Sequence, residues 1–342
     1  MLTTHQHNIL RIYASYDPTH TTTLRNAFVR ELKRRFKELK QLIKKAIVEK
    51  DCFGIAPTHY QMNLPVDRAF MFARSGDKVA GFMTWLQGEV DKGMLEIKEI
   101  SQVGKSVNAT WQNKYIYDSY KRGVIRARYE MKKAGYDIPT IEATGGIEIS
   151  MSTPFHLDRL GLLYTRVYTE LKGTVNDMMD KQISRVLAQG IADGDNPRLL
   201  ARKLVASIDG KGIGELGLTD SLGRFIPAER RAEILARTEI IRAHHVATVQ
   251  EYKNWAVEGV MVEAEFKTAG DDRVCEQCAS LEGDVYTLDQ IEGMIPVHPQ
   301  CRCVALPYKK EYGETKGWNE LPYVKEGRLP KLKGGKFVKI KK

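Results

Sequence analysis

What this 342-residue chain lacks narrows its class first. No apolar run approaches the roughly 18 residues of a membrane-spanning helix, so we expect no helical membrane span. The first residues, Met1-Leu2-Thr3-Thr4-His5-Gln6-His7, offer neither a basic start nor an apolar stretch. No secretory leader is expected from them. The cysteines number only five, too few for a disulfide scaffold in a chain of this length. Gly104-Lys105-Ser106 looks like the end of a phosphate loop, but Glu99 stands where its first glycine must be, so the backbone cradle cannot form. There is no His-Glu-x-x-His, and therefore no support for a zinc protease of that kind.

What is present is ordinary for a folded protein. Apolar residues make up 42% and charged residues 28%, which excludes a wholly disordered chain. The length fits two domains or three. The net charge of +10 is uneven. Residues 1–50 carry +7, residues 309–342 carry +7, and the stretch between them carries −4. Two basic ends on a mildly acidic body suit a polyanion or an acidic protein surface, with nucleic acid the first candidate.

Hydrophobic spacing predicts long helices. Leu24, Phe28, Leu32, Phe36, Leu39, Ile43 and Ile47 form one stripe, with Arg30, Lys33, Arg34, Lys37, Lys40 and Lys44 opposite. That basic face reads as solvated, or as a contact for phosphates or an acidic neighbour. Residues 67–134 read as mainly helical, broken by turns at Ser75-Gly76-Asp77 and Val103-Gly104. Within them Tyr115, Tyr117, Tyr120, Arg122, Arg126, Arg128 and Tyr129 read as a half-buried helix face rather than a base-stacking surface. Glycines and prolines over 135–157 mark the best boundary in the chain. Beyond it the pattern Leu160, Leu163, Tyr164, Val167, Leu171, Val175, Met178 to Leu187 is helical again. Asn196-Pro197 is a helix start, since Asn can accept from a free backbone N–H and Pro loses nothing at the first position. Residues 210–223 hold five glycines and read as a loop. A third long helix is expected from Pro227 to about Trp255, with Ile234, Thr238, Ile241, His245, Val249 and Tyr252 on one face and Gly259 as its stop. Strands are expected over 260–267, at Val285-Tyr286-Thr287 and over 303–306. The lysine-rich tail is expected to be extended or mobile on its own.

The strongest local signal is Cys275-Glu276-Gln277-Cys278, then nineteen residues, then His298-Pro299-Gln300-Cys301-Arg302-Cys303. Cys275-x-x-Cys278 can bite one tetrahedral metal from a tight turn, and His298-x-x-Cys301 repeats the spacing with an imidazole. Cys303 is a fifth donor for four positions. A disulfide or plain packing would also account for these thiols. Cysteine catalysis fits less well, because a nucleophilic thiol needs one base and an oriented third group, not four clustered sulfurs. A metal with four protein donors has no open position, so it would staple a fold rather than run a reaction. Other features are blander. His244 and His245 point about 100° apart on a helix and are a poor chelating pair. Cys52 reads as a packed apolar residue, and Arg237-Thr238-Glu239 as a structural ion pair.

The block from Ala236-Arg237-Thr238-Glu239 through Trp255, Asp272 to Cys278 and Leu281-Glu282-Gly283 ends in Pro296-Val297-His298-Pro299-Gln300-Cys301-Arg302-Cys303. Over roughly 155–308 it resembles the head morphogenesis domain of tailed bacteriophages, the minor head proteins similar to the F protein of phage Mu. Val297 departs from the expected second proline. The resemblance implies a non-enzymatic protein that associates with the portal, and with scaffold or major capsid protein, during procapsid assembly. It implies a place inside the virion head near the portal vertex, reached from the host cytoplasm, and contact with packaged DNA without sequence preference.

The reading is thus a predominantly helical α+β protein, with long helices on a small sheet closed by a C-terminal Cys/His cluster. Its expected divisions are a helical region over 1–150 for portal or capsid contact, a head morphogenesis domain over 155–308 and a basic tail over 309–342. Structural Zn²⁺ is the expected cofactor, on Cys275, Cys278, His298 and Cys301 with Cys303 as the substitute. Two rivals stand beside it. One is a phage-carried toxin enzyme such as an ADP-ribosyltransferase or nuclease, although residues 1–150 show no convergent nucleophile, base or nucleotide loop. The other is a zinc-dependent DNA-binding protein.

Overall fold

The computed structural model describes residues 17–57, 69–102, 105–209, 226–257, 262–309, 331–333 and 336–338. Residues 1–7, the Val103-Gly104 turn, the glycine-rich 210–223, Gly259 and most of the basic tail lie outside the described residues. Two compact units share the chain. One gathers Met1–Asn26, Lys114–Tyr164 and Arg237–Lys342, and the other gathers Ala27–Asn113 and Thr165–Ala236.

The described helices follow the apolar stripes. Helix α1 (Thr22–Lys44) continues into a wider turn at Lys45–Glu49, and its whole stripe from Leu24 to Ile47 is buried. In the second unit its basic face meets acids brought from far along the chain. Lys33 pairs with Glu233, and Lys40 pairs with both Asp209 and Glu229. The acidic-neighbour reading of that face therefore accounts for these lysines. Ser75-Gly76-Asp77, expected as a turn, instead opens helix α2 (Ser75–Gly93). Phe82 and Trp85 of this helix pack with Phe53 and Phe70, with ring centroids 5.2–6.0 Å apart.

Residues 97–110 are a correction. They form an antiparallel hairpin of β1 (Ile97–Gln102) and β2 (Lys105–Thr110), with Ile97 opposite Thr110, inside a stretch expected to be helical. Ile97 and Ile100 sit at a helical spacing, whereas the β-branched Val107 and Thr110 favour a pleated partner. Trp111 follows the hairpin, donates its Nε1 to Met94 O at 2.8 Å and lies under Arg35.

The first unit holds the candidate site. Helix α3 (Asn113–Lys133), a short helix α4 (Ile147–Met151) and the start of α5 (Pro154–Met178) precede α6 (Ser184–Ala192) and α7 (Pro197–Ile208) of the second unit. Asn196 accepts from Leu199 N at 3.0 Å and so caps α7 as expected. Helix α8 (Ala228–Val257) matches the expected span closely. It differs in having two buried faces. Ile241, His245, Val249 and Tyr252 line one, and Ile240, Ala243, His244 and Ala247 line the other. Alanines at helical spacing read weakly as core, yet they let α3 come close. Ser119 Oγ donates to Ile240 O at 2.6 Å, and a Cβ on Gly123 would lie 2.4 Å from His244 O.

The sheet is β4 (Val285–Tyr286), β3 (Glu263–Lys267) and β5 (Val304–Tyr308), antiparallel with β3 in the centre. All three strands were expected from their patterns. Ala127 and Met131 of α3, Val249 and Tyr252 of α8, Ala264 and Ala305 of the sheet, and Leu288 and Ile291 share one core. The tyrosine-arginine face of α3 is half buried, as its pattern implies. Tyr120 is fully buried and Arg128 pairs with buried Glu251 at 2.5 Å, while Tyr129 faces solvent. In the tail, β6 (Lys331–Lys333) pairs with β7 (Lys336–Val338).

Candidate metal centre

Strand pairing delivers the two cysteine segments to one place. Lys267, the last residue of β3, lies opposite Val304, the first of β5. The loop leaving β3 therefore runs beside Cys301-Arg302-Cys303, which enters β5. Cys275 caps the short helix α9 (Glu276–Ala279), and its Sγ accepts from Cys278 N at 3.3 Å. On the other side, Cys301 N donates to His298 O at 3.1 Å, and Gln300 takes a left-handed φ of 63° to close that turn. Each spacing thus becomes a tight turn; the Cys275 and Cys278 donors come together within one turn, whereas His298 and Cys301 fall into different triads.

The five donors form two triads that share Cys278. The ligand atoms of Cys275, Cys278 and His298 lie within 4.8 Å of one another, and so do those of Cys278, Cys301 and Cys303. Cys278, Cys301 and Cys303 are buried, while Cys275 and His298 are half-buried. Each cysteine is a free thiol. The Cys278 and Cys301 sulfurs stand 3.9 Å apart, far beyond the roughly 2.05 Å of a disulfide. That separation is close to the roughly 3.8 Å edge of a tetrahedron with metal–sulfur bonds of about 2.3 Å. His298 Nδ1 lies 2.8 Å from Pro299 O, so it carries the proton and leaves Nε2 as the free lone pair. A cysteine-rich cluster able to hold a metal ion is therefore present.

Electrostatics favour a cation here. The Cys278 and Cys303 thiols donate towards Cys301 and hold its pKa far below the usual thiol range, helped by backbone N–H groups of Cys303 and Val297. Sharing that one negative charge pushes Cys278 and Cys303 up. Three sulfurs this close cannot all ionise alone, whereas a bound dication displaces the remaining protons.

Several residues that support the site are not conspicuous in the sequence. Arg302, between two cysteines, grips the buried Asp271 carboxylate with two hydrogen bonds of 2.5 and 2.6 Å. Burial alone would raise the pKa of Asp271, but Arg302 and then Arg273 hold it below its usual value. This clamp ties the loop before the first knuckle to the second knuckle. Thr238 Oγ1 of α8 accepts from Gln300 N at 3.0 Å, and His245 Nε2 donates to Ile291 O at 2.9 Å. His245 stays neutral because burial pushes its pKa down to about 4. The signal available was the Asp and Arg flanking the cysteines, which read alone as surface charges. Other sequence readings fall out as follows. His244 and His245 are both buried, and neither belongs to a candidate metal-holding group among the described residues. Glu239 pairs with Arg242 at 3.1 Å, so the expected ion pair uses a different arginine from Arg237. Cys52 is buried.

Residues 181–306 match the family model described as Phage Mu protein F like protein. The matched segment contains α6, α7, α8, the sheet almost to its end and all five candidate donors, and over it the chain is similar to that phage head family. Searches among curated proteins and among solved structures gave no match.

Proposed function

We propose that the chain is a phage minor head protein acting in head morphogenesis, with a structural Zn²⁺ stapling its C-terminal half. The observation that carries this is the match of residues 181–306, which encloses Cys275, Cys278, His298, Cys301 and Cys303. Its role is non-enzymatic. Its partners are the portal and the scaffold or major capsid protein, and its place is inside the head near the portal vertex. DNA is a second, non-specific partner, in keeping with the two ends of charge +7.

Zinc suits the donor set, since soft thiolates with an imidazole in a tetrahedral arrangement favour it over harder ions. Cys278 is common to both triads, Cys275 and His298 come from one and Cys301 from the other, and Cys303 is the alternate donor. Four protein donors leave the ion no open position, so it supplies cross-linking rather than Lewis-acid chemistry.

Two measurements test the proposal. The chain is co-expressed with the portal and major capsid proteins of the same genome, and procapsids are sedimented. Co-sedimentation that depends on the portal is expected, and a chain left wholly in the supernatant overturns the head-protein reading. Elemental analysis should find about one zinc per chain, with chelation loosening the C-terminal half. Absence of metal together with five reactive thiols in the native protein overturns the zinc assignment.

A further inference from the structure

The basic face of α1 is only partly used by the fold. The helix carries eight Arg and Lys residues and two carboxylates, Glu31 and Glu38. Glu31 holds Arg34 and Arg35, and Glu38 also holds Arg34. Acids from outside the helix take three more cations. Asp17 pairs with Arg25, Glu233 with Lys33, and both Asp209 and Glu229 with Lys40. Arg30, Lys37 and Lys44 remain. All three are exposed, and none of their side chains has a hydrogen bond or an ion pair among the described residues.

These leftover cations are not scattered. Residues seven apart on an α-helix fall within about 20° of one another and about 10.5 Å apart along the axis. Arg30, Lys37 and Lys44 therefore form one line about 21 Å long. Arg34 and Gln41 stand between them at spacings of four and three, so this crest holds no apolar or aromatic side chain. The apolar stripe on the opposite side of the helix, from Leu24 to Ile47, is buried.

We infer that this crest is a docking surface for the phosphate backbone of duplex DNA. The inference rests on the reading of DNA as a second partner and gives that partner a place on α1. Chemistry chooses among the anions. Protein interfaces centre on aromatic and apolar anchors and hold few lysines at their core. Single-stranded DNA is gripped largely by stacking on aromatic rings. The crest offers neither. Duplex phosphates need only fixed cations, and a line of about 21 Å passes roughly a dozen phosphate charges, at one per about 1.7 Å of duplex axis. Contacts of this kind address no base edge, so the binding has no sequence preference.

The test uses the full chain and a mixed-sequence duplex, with binding followed by anisotropy between about 50 and 200 mM salt. Three phosphate contacts contribute about −2.7 to the slope of log affinity against log salt. Arg30→Gln, Lys37→Gln and Lys44→Gln should each weaken binding roughly eightfold at about 0.1 M salt. The triple variant should lose more than about a hundredfold, and its slope should be shallower by about 2.7. Thermal midpoints should barely move, because the three side chains bond to no described residue and Gln suits a helix about as well as Lys or Arg. A charge-matched triple, Lys92→Gln, Lys172→Gln and Lys181→Gln, removes exposed lysines outside α1 and should keep most of the affinity. Poly-glutamate serves as the rival probe. DNA affinity lost in the α1 triple alone supports the surface, whatever happens to poly-glutamate. Loss of poly-glutamate binding with DNA held as before overturns the DNA assignment in favour of an acidic protein. An equal loss of DNA affinity in the two triples, or no loss of either probe in the α1 triple, overturns the surface. A native chain with no affinity for the duplex even at about 50 mM salt overturns the reading of DNA as a partner as well, while the portal-dependent sedimentation is read separately.

Discussion

Replacing Asp271 with asparagine isolates the clamp that brings the two cysteine segments together. The side chains are nearly equal in size, so no cavity opens and the change is one of charge. Asp271 accepts from Arg302 at 2.5 and 2.6 Å and from the Arg273 guanidinium at 2.8 Å. The Arg273 side chain is 66% exposed, so its share is small. Arg302 is 15% exposed, and stripping a partner from a buried pair costs about 3–5 kcal/mol. Because the stranded guanidinium reaches some water, we expect about 3 kcal/mol, at the lower end of that range. With a urea slope of about 3 kcal/mol per M, the midpoint should fall by about 1 M. Circular dichroism through a urea titration reads this, with chelator present so that metal release does not contribute. Combining Asp271→Asn with Arg302→Met should cost less than the two single changes added together, because the second change removes the charge stranded by the first. A loss under about 0.5 kcal/mol for Asp271→Asn, or strict additivity in the double variant, would refute the clamp.

Two glycines should respond to alanine with opposite signs. At Gly123 a Cβ would sit 2.4 Å from the His244 carbonyl oxygen, and overpacking of about 1–3 kcal/mol outweighs the roughly 1 kcal/mol gained in helix propensity. At Gly161 the added methyl meets nothing within 4 Å, so Gly161→Ala should stabilise by up to about 1 kcal/mol. Paired thermal melts decide, and equal signs would show that the α3–α8 approach is looser than described. Acid should also act through Asp17. Burial raises its pKa, but Arg25 and the Thr19 and Thr22 hydroxyls outweigh that and hold it at about 2. A depressed folded pKa means that its stabilisation is present above the unfolded value near 3.9 and is lost as pH falls towards 2. Asp17→Asn should therefore flatten the stability loss between pH 4 and 2 by about 2 kcal/mol, and an unchanged acid limb in urea titrations would contradict the pairing.

Local chemistry was legible where a period or a cap carries it. The stripe from Leu24 to Ile47, the Asn196 cap of α7 and the span of α8 all follow from spacing and side-chain type. The two turns that carry the candidate donors were equally plain, because donors three residues apart mark a tight turn. The hairpin at 97–110 was not, since six-residue strands with mixed polarity carry too little period to separate them from helix. The alanine face of α8 was also silent. Alanine marks core only when a partner such as Gly123 comes close enough to use it.

The amino-acid order alone determined the long helices with a clear stripe, the three strands of the sheet, and which five side chains are suited to a metal. These properties depend on neighbours within a turn or two. Tertiary structure decided which distant charges meet: Lys40 with Asp209 and Glu229, Arg128 with Glu251, and Asp271 with Arg302. It also brought Cys278 within 3.9 Å of Cys301. Such pairings depend on chain segments far apart in sequence being packed together within each unit. A charged residue looks the same on paper whether its partner is water or a buried carboxylate.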